Sequence, residues 1–152
     1  MTDVTPFRIE VSDEILLDLL SRLRNTRWPA DAPGEPWQLG TDVSFLRRLA
    51  DYWLTEFDWR QQEERLNRAP QFTTEIDGTR IHFVYQRASA GGGVPILLTH
   101  GWPSAFIEYL PTAELLAAAG FDVVVPSLPG YGFSERPQEI GVNYRAVARL
   151  WH

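Results

Sequence analysis

The sequence contains no cysteine. Disulfides, thiolate catalysis and cysteine-based zinc sites are therefore excluded. Histidine is scarce as well: His82, His100 and His152 lie far apart with no i, i+4 pair, so no histidine-rich metal site is expected. No apolar run approaches the ~20 residues of a membrane-spanning helix. The longest, such as Val94–Thr99 and Phe121–Pro126, have the length of strands. Positive charge is also in short supply. A net charge of −6 disfavours nucleic acid as a partner, and the densest basic group, Arg22, Arg24 and Arg27, reads as a solvated helix face. The opening MTDVTPFRIEVSDE is acidic and lacks the charged-then-apolar order of a secretory signal, so the expected location is the cytoplasm.

What is present fits a globular protein. At 152 residues, 44% hydrophobic and 22% charged, the chain has the size of one ordinary domain and the composition of a soluble one. Six tryptophans are a high load, and Trp28, Trp37, Trp53 and Trp59 are expected to pack. Up to about residue 70 the pattern is helical with wrapping loops. Ser12 can cap a helix that carries Asp13 and Glu14 in its first turn, with Ile15, Leu16, Leu19, Leu20 and Leu23 on one face. That helix must fade before Trp28-Pro29. Three prolines and two glycines make Pro29–Gly40 a loop, and a second helix is expected over about Asp42–Phe57. Asp58 and Gln61 form a capping-box-like pair ahead of Leu66.

At Gln71 the period changes from helical to alternating. Phe72, Thr74 and Ile76 alternate with Thr73 and Glu75, a matching run starts at Arg80, and Asp77-Gly78 between them signals a hairpin. After the flexible Ser89–Gly93 comes a strand at Pro95–Thr99, then a helix over about Ala105–Ala119 interrupted at Pro111. Gly120 ends that helix, and a second strand follows at Phe121–Val125. Two continuous apolar strands joined by a helix form a βαβ unit, which implies a parallel sheet covered on both faces. The long loop SLPGYGFSERP follows, and Asn143–His152 begins another helix. The expected organisation is a helical N-terminal arm over 1–70, then a hairpin and the start of an α/β domain over 71–152.

Chemistry concentrates in the two turns that follow the parallel strands. In open α/β sheets ligands bind beyond the carboxyl ends of the strands. In His100-Gly101-Trp102-Pro103 the glycine lets backbone approach a ligand, and Pro103 fixes the turn while removing one N–H. This leaves the Trp102 N–H as a donor to a developing negative charge, a contribution of roughly 10²–10³ in rate. The bland alternative is a plain strand-ending turn. The second turn, Ser127–Ser134, should lie beside the first, with Gly130 and Gly132 letting it fold tightly around Tyr131. Two glycine-rich turns at one sheet edge are a more specific signal than either alone.

These residues carry a resemblance. HGWP, PSLPGYGFS and the N-terminal segments resemble the microsomal-type epoxide hydrolases of the α/β-hydrolase superfamily, including the juvenile hormone epoxide hydrolases. The likeness runs through Arg27-Trp28-Pro29, Trp37 with Gly40, and Asp58-Trp59-Arg60 followed by Glu63 and Leu66-Asn67. It continues in Gln71-Phe72-Thr73, Ile76-Asp77-Gly78 and Ile81-His82-Phe83, and spans Phe7 to Arg149. HGWP alone suits many α/β-hydrolases, whereas the other segments are narrower. One departure is Ser104-Ala105, where the family usually has Gly-Ser, and it bears on the local helix start.

The resemblance implies a helical arm, a hairpin and the first half of an α/β-hydrolase sheet, together with a two-step hydrolysis. An aspartate on a sharp turn after the next strand attacks the epoxide, lid tyrosines donate to its oxygen, and a His–acid pair activates water against the resulting ester. The HGXP amide and the amide after the nucleophile hold the oxyanion. Only the Trp102 N–H, supported by His100, Gly101 and Pro103, maps onto this sequence, and the Trp102 side chain is a candidate for lining the pocket. No metal or organic cofactor is needed, because a carboxylate and water suffice to open a strained ring.

The nucleophile turn is expected one strand after the helix that begins near Asn143, and the sequence stops at His152. Nucleophile, acid and base are thus not expected within it. No G-x-S-x-G occurs, and no motif places a base beside Ser104 or Ser134. Tyr131 belongs to the glycine loop rather than a lid. His82 reads as structural, His100 as a holder of its turn through hydrogen bonds, and His152, at a terminus, as no catalytic base. Without a further strand the Pro95–Thr99 strand exposes an unpaired edge, so the isolated chain is expected to be unstable, self-associating or paired with a complementary chain.

Three readings follow. The first is the N-terminal portion of an epoxide hydrolase, inactive alone, with a small-molecule epoxide as substrate of the complete enzyme and a complementary C-terminal portion as partner. The second is a non-catalytic interaction module or regulatory relic that pairs with another polypeptide. The third is a portion of another α/β-hydrolase, such as a dehalogenase. The animal relatives carry a membrane anchor ahead of this region. This sequence begins about where such an anchor has ended, so no membrane attachment is expected.

Overall fold

The switch of hydrophobic period at Gln71 is a switch of architecture in the computed structural model, which describes residues 3–152. Met1 and Thr2, the first residues of the expected arm, lie outside the described residues. In chain order the elements are β1 (Thr5–Phe7), α1 (Asp13–Arg24), α2 (Val43–Thr55), α3 (Trp59–Leu66), β2 (Gln71–Ile76), β3 (Thr79–Gln86) and β4 (Val94–Leu97). A 3-10 turn at Phe106–Tyr109 precedes α4 (Leu110–Ala118), β5 (Phe121–Pro126) and α5 (Tyr144–Trp151). Two compact units result: Glu10–Glu63, and the residues up to Ile9 together with Glu64–His152.

In the smaller unit the caps act where the residue types allow. Ser12 accepts the Ile15 N–H, and Asp42 accepts the Phe45 N–H at 2.8 Å. The tryptophans pack against neighbours more than they are buried. Trp37 lies 5.0 Å from the Phe45 ring and Trp53 6.2 Å from that of Phe57, yet both remain exposed. Arg47 sits over Trp28 at 5.1 Å.

The segment from Asp58 to Asn67 anchors the chain at two points. Asp58 caps α3 by accepting the Gln61 N–H at 3.1 Å. The buried Glu63 carboxylate accepts from the Val11 N–H at 2.7 Å, the Trp59 indole at 3.2 Å and Arg60 at 2.7 Å, while Arg60 also pairs with Asp13. The Val11 N–H is the main cause that holds the Glu63 carboxyl below its ordinary pKa, against the opposing effect of burial. In the larger unit the Asn67 amide accepts from the Ile9 N–H and donates to the Ile9 carbonyl, both at 2.8 Å. This two-point grip imitates a strand neighbour. It leads into β1, which pairs antiparallel with β2 from Thr5↔Thr73 to Phe7↔Gln71. The stretch expected as helical therefore opens with a strand, one that local pattern does not announce because its partner lies more than 60 residues away.

Asp77 and Gly78, both at positive φ (49° and 74°), make the tight turn that sets the β2–β3 register, Ile76 opposite Thr79. The sheet is mixed, in the order β1-β2-β3-β5-β4, with β4 and β5 its only parallel pair among the described residues. Val123 and Val125 of β5 are fully buried. By contrast Val94 and Leu97 of β4 are 63% and 48% exposed, which corrects the expectation of a strand covered on both faces. A continuous apolar run signals burial only where neighbours flank it, and β4 has a partner on one side alone among the described residues. Pro111 also plays a different part from the one expected. It stands in the first turn of α4, where its missing N–H costs nothing, so it starts a helix instead of interrupting one. Ala113 and Ala117 of α4 are buried. No helix among the described residues is long and apolar enough to cross a membrane.

Replacing Glu63 by alanine strands the Val11 amide, the Trp59 indole and Arg60, so urea unfolding at pH 7 should show a loss of about 2 kcal/mol. Because the folded-state pKa of Glu63 is lowered, this contribution exists above the ordinary carboxylate pKa and disappears as pH falls through the folded value. Wild-type and variant midpoints should therefore converge in acid. Equal midpoints at pH 7 would show that the carboxylate is no anchor.

Candidate active site

Because β4 and β5 run parallel, the segments after them emerge at one sheet edge. After β4 the Ser104 N–H donates to the Gly101 carbonyl at 2.9 Å and closes a tight turn. Its Trp102–Pro103 peptide is cis, which makes it a type VI turn. Among the described residues no group accepts the Trp102 N–H, and Trp102 is 81% exposed. A Cβ at Gly101 would meet no atom within 4 Å, so the turn borders open space. After β5 the chain folds on itself. The Tyr131 N–H reaches the Leu128 carbonyl at 2.9 Å, the Ser134 N–H that of Tyr131 at 3.0 Å, and the Gly130 N–H that of Glu135 at 2.8 Å. Gly132 is at φ 53°, and a Cβ there would lie 2.7 Å from Ser127 Oγ, so the close approach needs glycine.

The two turns and α5 border a cleft of about 530 Å³. Trp102 and Tyr131 face it from the turns, and Tyr144, Val147 and Trp151 line it from α5. These α5 residues are not among the sequence candidates. Their i, i+3, i+7 spacing was the available signal. Asn143 caps this helix by accepting the Arg145 and Ala146 N–H groups at 3.0 and 3.2 Å.

His100 joins the turns. It is buried, its Nε2 accepts the Leu128 N–H at 3.1 Å, and its Nδ1 lies 3.2 Å from the Gly101 carbonyl, so the ring proton is on Nδ1. Tyr131 packs edge-on against it at 5.5 Å. His82 adopts the opposite tautomer. Its Nε2 donates to Gln71 Oε1 at 3.0 Å, and its Nδ1 accepts from Ser127 Oγ at 2.9 Å. The Gln71 amide is oriented by its own donation to the Leu66 carbonyl at 3.0 Å. Burial pushes His82 down to about 4.

The other sequence candidates are dispersed. Ser104 Oγ donates to the Ala105 carbonyl, Ser134 Oγ accepts from the His82 N–H and donates to the Ser127 carbonyl, and His152 is exposed. Ser127 and His82 form a serine–histidine pair that the sequence does not advertise, but both are 0% exposed and no substrate can reach them. No carboxylate lines the cleft, and among the described residues no cluster of acidic and histidine side chains could hold a metal.

The sheet order, the βαβ unit and the paired turns at one edge define an α/β-hydrolase fold. Residues 94–150 match the family described as alpha/beta hydrolase fold, and residues 4–109 match that described as Epoxide hydrolase N terminus. The chain belongs to the epoxide hydrolase family. Epoxide hydrolase 1 of Sus scrofa is 36% identical over 162 residues, covering 98% of this chain and 36% of that protein. The crystal structure of juvenile hormone epoxide hydrolase from the silkworm Bombyx mori superposes with a TM-score of 0.91 at 30% identity, over 99% of this chain and 42% of that one. The Aspergillus niger epoxide hydrolase gives 0.83 at 37% identity, over 97% and 42%. The chain spans about a third of the length of the curated relatives it matches.

His82 dictates an acid response. Its folded pKa of about 4 lies below the ordinary 6.5, so between these values the unfolded chain binds a proton that the folded one refuses. Stability should fall as pH drops from 6.5 to 4, by about 3 kcal/mol in total from this group. Denaturant titrations across that window check the slope, which His82→Asn should abolish. A variant with the wild-type slope would assign it elsewhere.

Proposed function

We propose that this chain supplies the oxyanion-binding half of an epoxide hydrolase active site. The observation that carries the reading is the Trp102 N–H, unpaired among the described residues, in a turn that borders an aromatic-walled cleft. An aspartate contributed by sequence outside these residues attacks an epoxide carbon. The C–O bond breaks, the ring oxygen takes a proton from a lid tyrosine that also lies outside these residues, and an enzyme ester forms. Water, deprotonated by a His–acid pair that also lies outside, adds to the ester carbonyl. The Trp102 N–H holds the resulting oxyanion, whose collapse frees the aspartate and expels an alkoxide that takes back the histidine's proton to complete the vicinal diol. His100, Gly101 and Pro103 shape the turn, while Gly130, Tyr131 and Gly132 form the loop beside it. Aromatic walls suit an apolar small-molecule epoxide, and the relatives' names support the substrate class.

A second reading has its own observation. β4 is an exposed sheet edge with Val94 and Leu97 open to solvent, which suits a module that pairs with another polypeptide. Co-expression with the complementary C-terminal portion of Sus scrofa epoxide hydrolase 1 separates the two. Epoxide turnover to diol by the pair, absent from each piece, supports the enzyme reading. A tight complex without turnover supports the binding module. In an active pair, Trp102→Phe should keep most turnover because the amide remains, whereas Trp102→Pro should lower it by roughly 10²–10³.

A further inference from the structure

We infer that His82 is a positioning residue for the Trp102 amide, acting through Ser127. The inference rests on the reading of Trp102 as the oxyanion donor, but the coupling can be observed without it. His82 grips the start of the loop after β5 through both main chain and side chain. Its carbonyl accepts the Ser127 N–H at 2.8 Å, and its Nδ1 accepts the Ser127 hydroxyl at 2.9 Å. Its N–H donates to Ser134 Oγ at 2.9 Å, and that hydroxyl donates back to the Ser127 carbonyl at 2.8 Å. The imidazole itself is fixed by Gln71 on its far side and by the rings of Phe7, Phe106 and Phe133, with centroids 5.0, 4.9 and 5.4 Å away. A side chain so enclosed has one orientation, and Ser127 inherits it.

The next residue carries that register to the site. The Leu128 N–H is the donor that His100 Nε2 accepts, and His100 Nδ1–H reaches the Gly101 carbonyl in the turn that holds Trp102. A main-chain ladder alone would fix the height of the loop on the sheet. The Ser127 carbonyl shares a peptide plane with the Leu128 N–H, so the Ser134 hydroxyl that His82 holds on that carbonyl, together with the His82–Ser127 side-chain bond, sets the rotation that aims the Leu128 amide at His100. Two buried histidines in opposite tautomers, one at each end of this relay, are its signature.

Nitrogen-15 NMR of the 152-residue chain tests the relay. At neutral pH the wild type should show His82 protonated on Nε2 and His100 on Nδ1. Ser127→Ala should abolish the single-tautomer pattern of His100 and shift or broaden the Trp102 amide signal. His82→Asn, which keeps an amide at the Nδ1 position, should retain both signals, whereas His82→Gln should lose them. The inference is overturned if both histidines share one tautomer, if Ser127→Ala leaves His100 and Trp102 at their wild-type positions, or if the two His82 variants behave alike. These signals do not depend on turnover, so failure of the relay and failure of the functional reading appear in separate experiments.

Discussion

Two strands that run in parallel must end at the same edge, and the pairing of β4 with β5 is the constraint from which the candidate site follows. The connection through α4 returns the chain to the start of the sheet, so the segments after Leu97 and after Pro126 leave side by side. An antiparallel arrangement would send them to opposite ends. The buried valines of β5 and the buried alanines of α4 hold this pairing by excluding water. Local chemistry then closes each turn, with a proline and a glycine in one and glycines in the other, and His82 and His100 hold the second from a distance.

The polar groups beneath the site show how a buried network can be stable and also specify one geometry. Gln71, His82, Ser127 and Ser134 are all buried, and each donor among them meets an acceptor. Such a network is costly when any member is missing, because the partner is left without water to replace it. Its burial also keeps His82 neutral, so the ring can accept from Ser127 at one nitrogen and donate to Gln71 at the other. A positive imidazole could only donate.

Much of this was legible in the sequence, for local reasons. Asp77-Gly78 announced the hairpin because few other dipeptides tolerate its backbone, and Ser12 and Asp58 are caps by their side-chain chemistry. The βαβ pattern places HGWP and the glycine loop at one edge. What stayed hidden depends on partners distant in the chain. β1 exists because Asn67 and β2 hold it. The Ser127–His82 pair joins residues 45 apart. The open edge of β4 is expected from the hydrolase strand order, whereas the apolar run alone implies the opposite, a strand covered on both faces. Trp151 and Tyr144 carried a periodic signal, but the surface they face is set by the two turns.

The grips at Ile9 and Val11 have a further meaning. Asn67 holds the chain just before it enters the smaller unit, and Glu63 holds it just after entry and just before exit. Residues 10–63 are thus an insert whose entrance and exit are stapled together, much as a crosslink closes a loop. The conformational entropy of bringing those ends together is offset at the staple rather than by the insert's own modest core, and it grows only as the logarithm of insert length. An insert held in this way is free to change its length and surface while the sheet and its two turns keep their register.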